Sequence, residues 1–231
     1  MTLTRENNFK SLTDRVKIKI KRKFSKPNYG KSWPRKSNDW YTGIHDANYL
    51  LHEDFTNYLT NKDDVKDILE IGCGTGIYPI RNKKLFENIQ YTGMDISSSA
   101  IEYCKKNSNF EFICGDIIKM ESDRKYDLVF SHAVIDHVYD INEFVSKIID
   151  ATKKYAYINS YRGYFPKLTN HKMKWDGHDA CYFNDISINE IKNLLLQKGL
   201  EESEFQLRSQ KSGQKDQNVD NQLVIEIMKK Q

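Results

Sequence analysis

Residues 67–80 read "DILEIGCGTGIYPI", with glycines at 72, 74 and 76 directly behind a short apolar run. Such a run, closed by glycines, reads as a buried strand entering a tight loop. In an open parallel sheet, ligands bind in the crevice beyond the carboxyl ends of the strands, so this loop is where a nucleotide would lie. Gly72, Gly74 and Gly76 lack the Cβ that would hold a ligand away from the backbone. A dinucleotide loop uses G-x-G-x-x-G, whose later glycines serve a pyrophosphate and the following helix. Here the spacing is G-x-G-x-G, and Thr75 and Ile77 do not restore the dinucleotide pattern.

Three acids make the reading specific. Glu70 stands two positions before the first glycine, Asp95 closes the second strand in "IQYTGMD", and Asp116 follows the third in "CGD". A carboxylate at position 70 would repel a pyrophosphate but suits a cationic amino-acid group. Asp95 can accept hydrogen bonds from both ribose hydroxyls, and Asp116 is placed to meet an adenine amino group. A ligand with an ammonium end, a ribose and an adenine is S-adenosylmethionine.

The rest of the chain alternates between the two periodicities. Strands are predicted at "VKDILEIG", "IQYTGMD", "FEFICGD", "YDLVFSH" and "KYAYINSY", with helices near 45–59, 77–87, 98–107 and 141–153. Capping boxes fix helix starts at Ser99 with Glu102, Asp140 with Glu143, and Ser187 with Glu190. The last helix should stop at Gly199. Two β-like segments follow, at 203–208 and "NQLVIEIMKK", with only a short polar link between them. A parallel pair needs a longer crossover, so these two should form an antiparallel hairpin. The whole is an α/β, doubly wound, mostly parallel sheet.

At "LEIGCGTG", "GMDIS", "CGDI" and "YDLVFSHAVIDHV" the chain resembles the class I S-adenosylmethionine-dependent methyltransferases. The resemblance covers about residues 40–230. It implies a Rossmann-like, seven-stranded sheet whose last strands are antiparallel. It also implies cofactor contacts from Glu70, Gly72, Gly74, Gly76, Asp95, Ile96, Asp116, Ile117 and Ser131.

Methyl transfer from a sulfonium is an in-line displacement, so the enzyme chiefly aligns its reactants. An alcohol acceptor also needs a base near the methyl group. Members that methylate adenine or glutamine usually carry an Asn/Asp-Pro-Pro-Tyr motif after the fourth strand, and this chain has "SHAV" there. Its "DHV" at 136–138 is similar to the "LEHV" segment of small-molecule O- and N-methyltransferases. That resemblance turns His137 toward the transfer site as its base and sets His132 and Asp136 beside the acceptor. A histidine that merely packs against the loop is the structural alternative. The long segment "NSYRGYFPKLTNHKMKWDGHDACYFNDIS" is read as a loop shaping the acceptor pocket, with Tyr161, Arg162 and His178 as its contacts. Aromatic faces there would suit a sugar or nucleoside, and Arg162 a phosphate or carboxylate. The stretch "WYTGIHDANYLLHEDFTNYL" loosely resembles the lead-in of bacterial methyltransferases associated with surface-polysaccharide synthesis, which points to a glycan-linked or other small-molecule acceptor. No paired metal-ligand cluster accompanies the fourth strand, so catalysis is expected to need no metal.

Charge divides the chain. The first forty residues hold 12 Lys and Arg against 3 Asp and Glu, a net of +9; the remainder holds 24 against 29, a net of −5. Residues 1–39 are therefore read as a basic arm and 40–231 as the methyltransferase domain. The arm is either a solvated tail or, through residues 10–36, a surface for anionic lipid headgroups or phosphates. It is expected to be dispensable for cofactor binding. An RNA or other nucleic-acid methyltransferase is the rival reading, and the acidic body argues against it. Four scattered cysteines without a CxxC pair, an N-terminus without an apolar leader and a mean hydropathy of −0.72 suggest a cytoplasmic protein, peripheral to the membrane at most.

Overall fold

The computed structural model describes residues 29–33, 50–211 and 221–230. Helix α1 (Leu50–Thr60) leads into β1 (Asp67–Ile71), then α2 (Ile77–Arg81), α3 (Lys83–Phe86), β2 (Gln90–Asp95), α4 (Ser98–Asn107) and β3 (Glu111–Cys114). The second half runs β4 (Tyr126–His132), α5 (Ile141–Ala151), β5 (Thr152–Ser160), β6 (Lys172–Asp176), β7 (Cys181–Asp185), α6 (Ile188–Gln197), β8 (Phe205–Lys211) and β9 (Asn221–Met228). Seven strands form one sheet in the order β3-β2-β1-β4-β5-β9-β8. The first five are parallel, while β9 runs antiparallel to both β5 and β8. This is the expected sheet, including its closing hairpin.

Strand parity sorts the core onto the two faces. Leu69, Ile71 and Val129 face one side, where they meet Phe144, Val145 and Ile148 of α5 and Ile191 and Leu195 of α6. Ile68, Leu128 and Phe130 face the other, against Phe55 and Leu59 of α1 and Ile101 and Cys104 of α4. Ile148 is wholly buried, and such a side chain contributes roughly 1.5–3 kcal/mol. On β1, Glu70 therefore falls on the second, aromatic face. It is one of the few buried acids among the described residues.

Asp140 accepts from Glu143 N at 3.0 Å and Ser187 from Glu190 N at 3.3 Å, so both helices begin where their capping residues place them. The cap of α4 is different. It is Ser97, whose Oγ accepts from Ala100 N at 3.3 Å, and not Ser99, because the backbone is still extended at Ser97. The helix expected over 77–87 divides at Asn82. There the backbone leaves helical geometry and the side chain donates to the Tyr78 carbonyl at 2.8 Å, competing with the helix's own bonding.

The segment expected as one long loop contains a second, two-stranded sheet, β6 against β7, in register from Lys172 with Asp185 to Asp176 with Cys181. Its turn is built by Asp176, whose Oδ1 accepts from His178 N at 2.8 Å and Asp179 N at 3.0 Å. His171 fastens the hairpin to α6: its Nδ1 accepts from Ser187 N at 2.9 Å and its Nε2 lies 3.0 Å from Glu190.

Candidate active site

The carboxyl ends of β1, β2, β3 and β4 meet at one edge, and the glycine loop fills the gap between them. Gly72 and Cys73 donate their N–H groups to the Met94 carbonyl at 2.7 and 3.0 Å, which ties the loop to β2. Gly72, Gly74 and Gly76 sit at φ +78, +53 and +65. A Cβ on Gly72 would come within 2.1 Å of Val134 Cγ2, so the loop and the turn after β4 touch backbone to side chain with no room to spare.

Asp95 is anchored where a ribose would meet it. Its Oδ2 accepts from Gly74 N at 2.9 Å and its Oδ1 from Ser97 N at 2.8 Å. Burial raises its carboxyl above the usual range against those hydrogen bonds. Each oxygen retains a lone pair for a ligand hydroxyl. On the neighbouring strand end, Asp116 accepts from Ile118 N at 3.1 Å and from the Tyr139 hydroxyl at 3.0 Å. Glu70 lies beneath the loop and receives the Tyr91 hydroxyl at 2.5 Å. Burial pushes its carboxyl up to about 8, and the Asp95 charge adds to the shift. Thr75, buried within the loop, keeps a hydroxyl without a hydrogen-bond partner among the described residues. Paired acids, an open glycine loop and an unsatisfied loop hydroxyl form a donor and acceptor set that fits an adenosyl amino acid.

Ile96 lies just beyond β2, and Ile117 packs on the core beside Asp116. Ser131 is buried, and its Oγ donates to the Ile71 carbonyl at 2.9 Å, so it joins the ends of β4 and β1. His132 lies among Phe55, Tyr78, Phe130 and Tyr157, with ring centroids 5.1–5.8 Å away, in the aromatic layer under α1.

His137 is oriented from two sides. Its Nδ1 lies 2.9 Å from the Tyr182 carbonyl and its Nε2 3.2 Å from the Tyr161 hydroxyl. A carbonyl can only accept, so Nδ1 carries the proton and Nε2 presents its lone pair to Tyr161. The rings of Trp33, Tyr161 and Phe183 stand 5.4–5.7 Å from the imidazole. Asp136 is wholly buried and accepts from Ser160 Oγ at 2.6 Å, Tyr161 N at 3.2 Å and Arg162 N at 3.3 Å. It thus pins the chain after β5 beside His137. Arg162 donates through Nε and Nη2 to Asp185 Oδ1 at 3.2 and 3.0 Å, which engages its charge within the protein. His178 is 93% exposed at the hairpin turn. There Asp176, His178 and Asp179 bring potential metal-ligand atoms within 4.8 Å of one another at the solvent-facing turn.

Sequence reasoning did not single out Tyr139, whose hydroxyl is fixed on Asp116, nor Tyr29 and Trp33, which pack on Tyr139 and His137. Tyr139 follows the "DHV" segment directly and was legible as its neighbour. The other two sit in the basic arm and carry no motif.

Comparison with known proteins agrees with this fold. Residues 62–199 match the family model described as "Methyltransferase domain". A malonyl-[acyl-carrier protein] O-methyltransferase of Acetivibrio thermocellus is 37% identical over 90 residues, covering 38% of this chain and 32% of that protein. The match thus spans about a third of that relative's length. The plantazolicin methyltransferase, solved with S-adenosylhomocysteine, superposes with a TM-score of 0.59 at 18% identity, over 93% of this chain and 98% of that one. The magnesium protoporphyrin IX methyltransferase of Synechocystis, solved with S-adenosylmethionine, gives 0.58 at 14% identity, over 93% and 97%. No helix among the described residues is long and apolar enough to cross a membrane. The chain belongs to the class I S-adenosylmethionine-dependent methyltransferases.

Proposed function

We propose that this protein O-methylates a hydroxyl on a small or carbohydrate-linked acceptor, in glycan or activated-sugar biosynthesis, with His137 as the base. The observation that carries the reading is the His137 imidazole held by the Tyr182 carbonyl at Nδ1, with Nε2 directed at Tyr161. When bound, S-adenosylmethionine supplies an electrophilic methyl group. The protein's own residues align the acceptor and remove its proton.

Tyr161 stands at Nε2, so it passes the proton. The acceptor hydroxyl gives its proton to Tyr161 Oη as Tyr161 gives its own to Nε2, which would leave the acceptor oxygen able to take a methyl group whose bond to sulfur breaks with its electron pair remaining on the sulfur. Burial, followed by the nearby Asp136 charge, raises the Tyr161 phenol and so favours its neutral form, which can both accept and donate a proton. Asp136 and the Tyr182 carbonyl hold the pair in place, the role of rigid support around a reacting group.

Trp33, Tyr161 and Phe183 offer flat faces that suit the C–H face of a sugar or another ring. The pairing of Arg162 with Asp185 favours an uncharged acceptor group over a phosphate. The resemblance of residues 40–59 to polysaccharide-associated methyltransferases supports the glycan reading. Basic residues of the arm would bring the enzyme to anionic lipid at the inner membrane face, where lipid-linked glycans are assembled.

The test is to incubate purified protein and deuterated-methyl S-adenosylmethionine with extracted metabolites and read labelled products by mass spectrometry. A labelled methyl ether on a sugar supports the proposal. A labelled amine, or label in RNA alone, refutes it.

A further inference from the structure

Five residues of the basic arm, Tyr29–Trp33, lie across the edge of the sheet just described. Gly30 N–H donates to the Ala180 carbonyl at 2.9 Å, and the Ser32 hydroxyl donates to the Asp179 carbonyl. Both bonds tie the segment to the β6–β7 turn. At the other side Gly30, at φ +76, approaches Ile96 so closely that a Cβ would lie 3.0 Å from Ile96 Cδ1. Tyr29 meets Tyr139 edge-on at 4.7 Å, and the same Tyr139 holds Asp116. Trp33 lies at the far end, 5.6 Å from His137. One short segment thus runs from the adenosine end of the cleft to the transfer end.

From these contacts we infer that Tyr29 is a cofactor-binding residue, forming with Tyr139 and Ile96 the outer wall of the adenosine pocket. The inference rests on the assignment of Asp95 and Asp116 to the ribose and adenine. Burial, with the charges of Asp116 and then Asp95 acting on the phenol, keeps Tyr29 in its protonated form. A neutral phenol can donate to a carboxylate, and a tyrosine ring can offer its face to a purine, a contact that bases of any identity accept. Gly30 is the residue that allows the segment to come this close. These five residues of the arm then belong to the cofactor site, contrary to the expectation that the arm is dispensable for cofactor binding.

S-adenosylhomocysteine titrated calorimetrically into full-length protein tests this, with thermal unfolding confirming each variant's fold. Tyr29→Ala should weaken binding at least tenfold, and Tyr29→Phe, which keeps the ring, less than threefold. Gly30→Ala, strained and crowded against Ile96, should weaken it by a similar factor to Tyr29→Ala. Exposed Lys31→Ala should bind as wild type does. Unchanged affinity in Tyr29→Ala overturns the inference. Tighter binding overturns it too, because the ring would then be filling the pocket and not lining it. A wild-type protein that fails to bind S-adenosylhomocysteine, or an Asp95→Ala variant that binds it normally, would instead mean that the ribose assignment is wrong.

Discussion

The Nδ1 of His137 lies 2.9 Å from the carbonyl oxygen of Tyr182, so a strand of the small hairpin fixes the tautomer of a residue that follows β4. The backbone reinforces the link, with Tyr182 N donating to the His137 carbonyl at 3.4 Å. The hairpin therefore fixes the orientation of His137 and does not only cover it. Asp136 performs the matching task from the other side, through Ser160 and the N–H groups of 161 and 162.

If Tyr161 relays the proton, removing either partner should stop the relay. His137→Gln and Tyr161→Phe are each expected to lower turnover about 10²-fold or more, the usual range for a lost general base. S-adenosylhomocysteine affinity should stay within about threefold. The double variant should be little worse than either single one, since residues acting as one unit are non-additive. Normal turnover in Tyr161→Phe with a slow His137→Gln would mean that the acceptor meets Nε2 directly.

Asp95→Ala removes the acceptor of two backbone N–H groups as well as the proposed ribose partner. Hydrogen bonds to a charged group contribute roughly 1.5–3 kcal/mol each. At least tenfold weaker S-adenosylmethionine binding is expected, with a lowered melting temperature because Gly74 and Ser97 lose their partner. Asp95→Asn should recover part of the stability and less of the affinity. Equal affinities across the three proteins would remove Asp95 from the site.

How much was legible in the sequence followed from how local each signal is. The glycine loop with Glu70, Asp95 and Asp116 rests on short motifs and strand ends, and the structure gathers them at one edge. The caps at Asp140 and Ser187 involve residues three apart, and they stand as expected. The β6–β7 hairpin was missed because Lys172–Lys174 are exposed and its strands hold no alternating apolar face. Its turn depends on an aspartate bonding its own backbone, which composition alone does not show. Arg162 reads as an anion site until Asp185, 23 residues later, is seen to engage it. The positions of Tyr29 and Trp33 are tertiary facts, hidden in a segment whose dominant feature is charge.

Gly72→Ala tests the close approach of the loop to Val134. The substitution adds a side chain at φ +78 and sets its Cβ 2.1 Å from Val134 Cγ2. Left-handed backbone costs a non-glycine residue about 1–2 kcal/mol, and overpacking typically adds 1–3. A destabilisation of about 2–5 kcal/mol in denaturant unfolding is expected. Adding Val134→Ala should recover the steric part and leave the backbone part, giving a coupling of at least about 1 kcal/mol between two touching residues. Strict additivity would show that the loop relaxes away from Val134.

Glu70 is expected to link protons to both stability and cofactor binding. Its carboxyl stands at about 8 in the folded chain against 4.5 for the ordinary group, raised first by burial. The folded protein therefore keeps a proton that the unfolded chain has already released between those values. Stability from this residue is complete below about pH 4.5 and is lost as pH rises toward 8, with a slope of up to about 1.4 kcal/mol per pH unit for one proton. Glu70→Gln keeps an acceptor for the Tyr91 hydroxyl but cannot titrate, so its stability curve should be flatter over that window. A bound ammonium group would favour the ionised form, so S-adenosylmethionine should expel this proton near pH 7. Calorimetry in buffers of different ionisation enthalpy should read up to one proton released by the wild type and none by Glu70→Gln. The same proton release in both proteins would place the titrating group elsewhere, and identical stability slopes would mean that Glu70 is ionised in the unliganded fold.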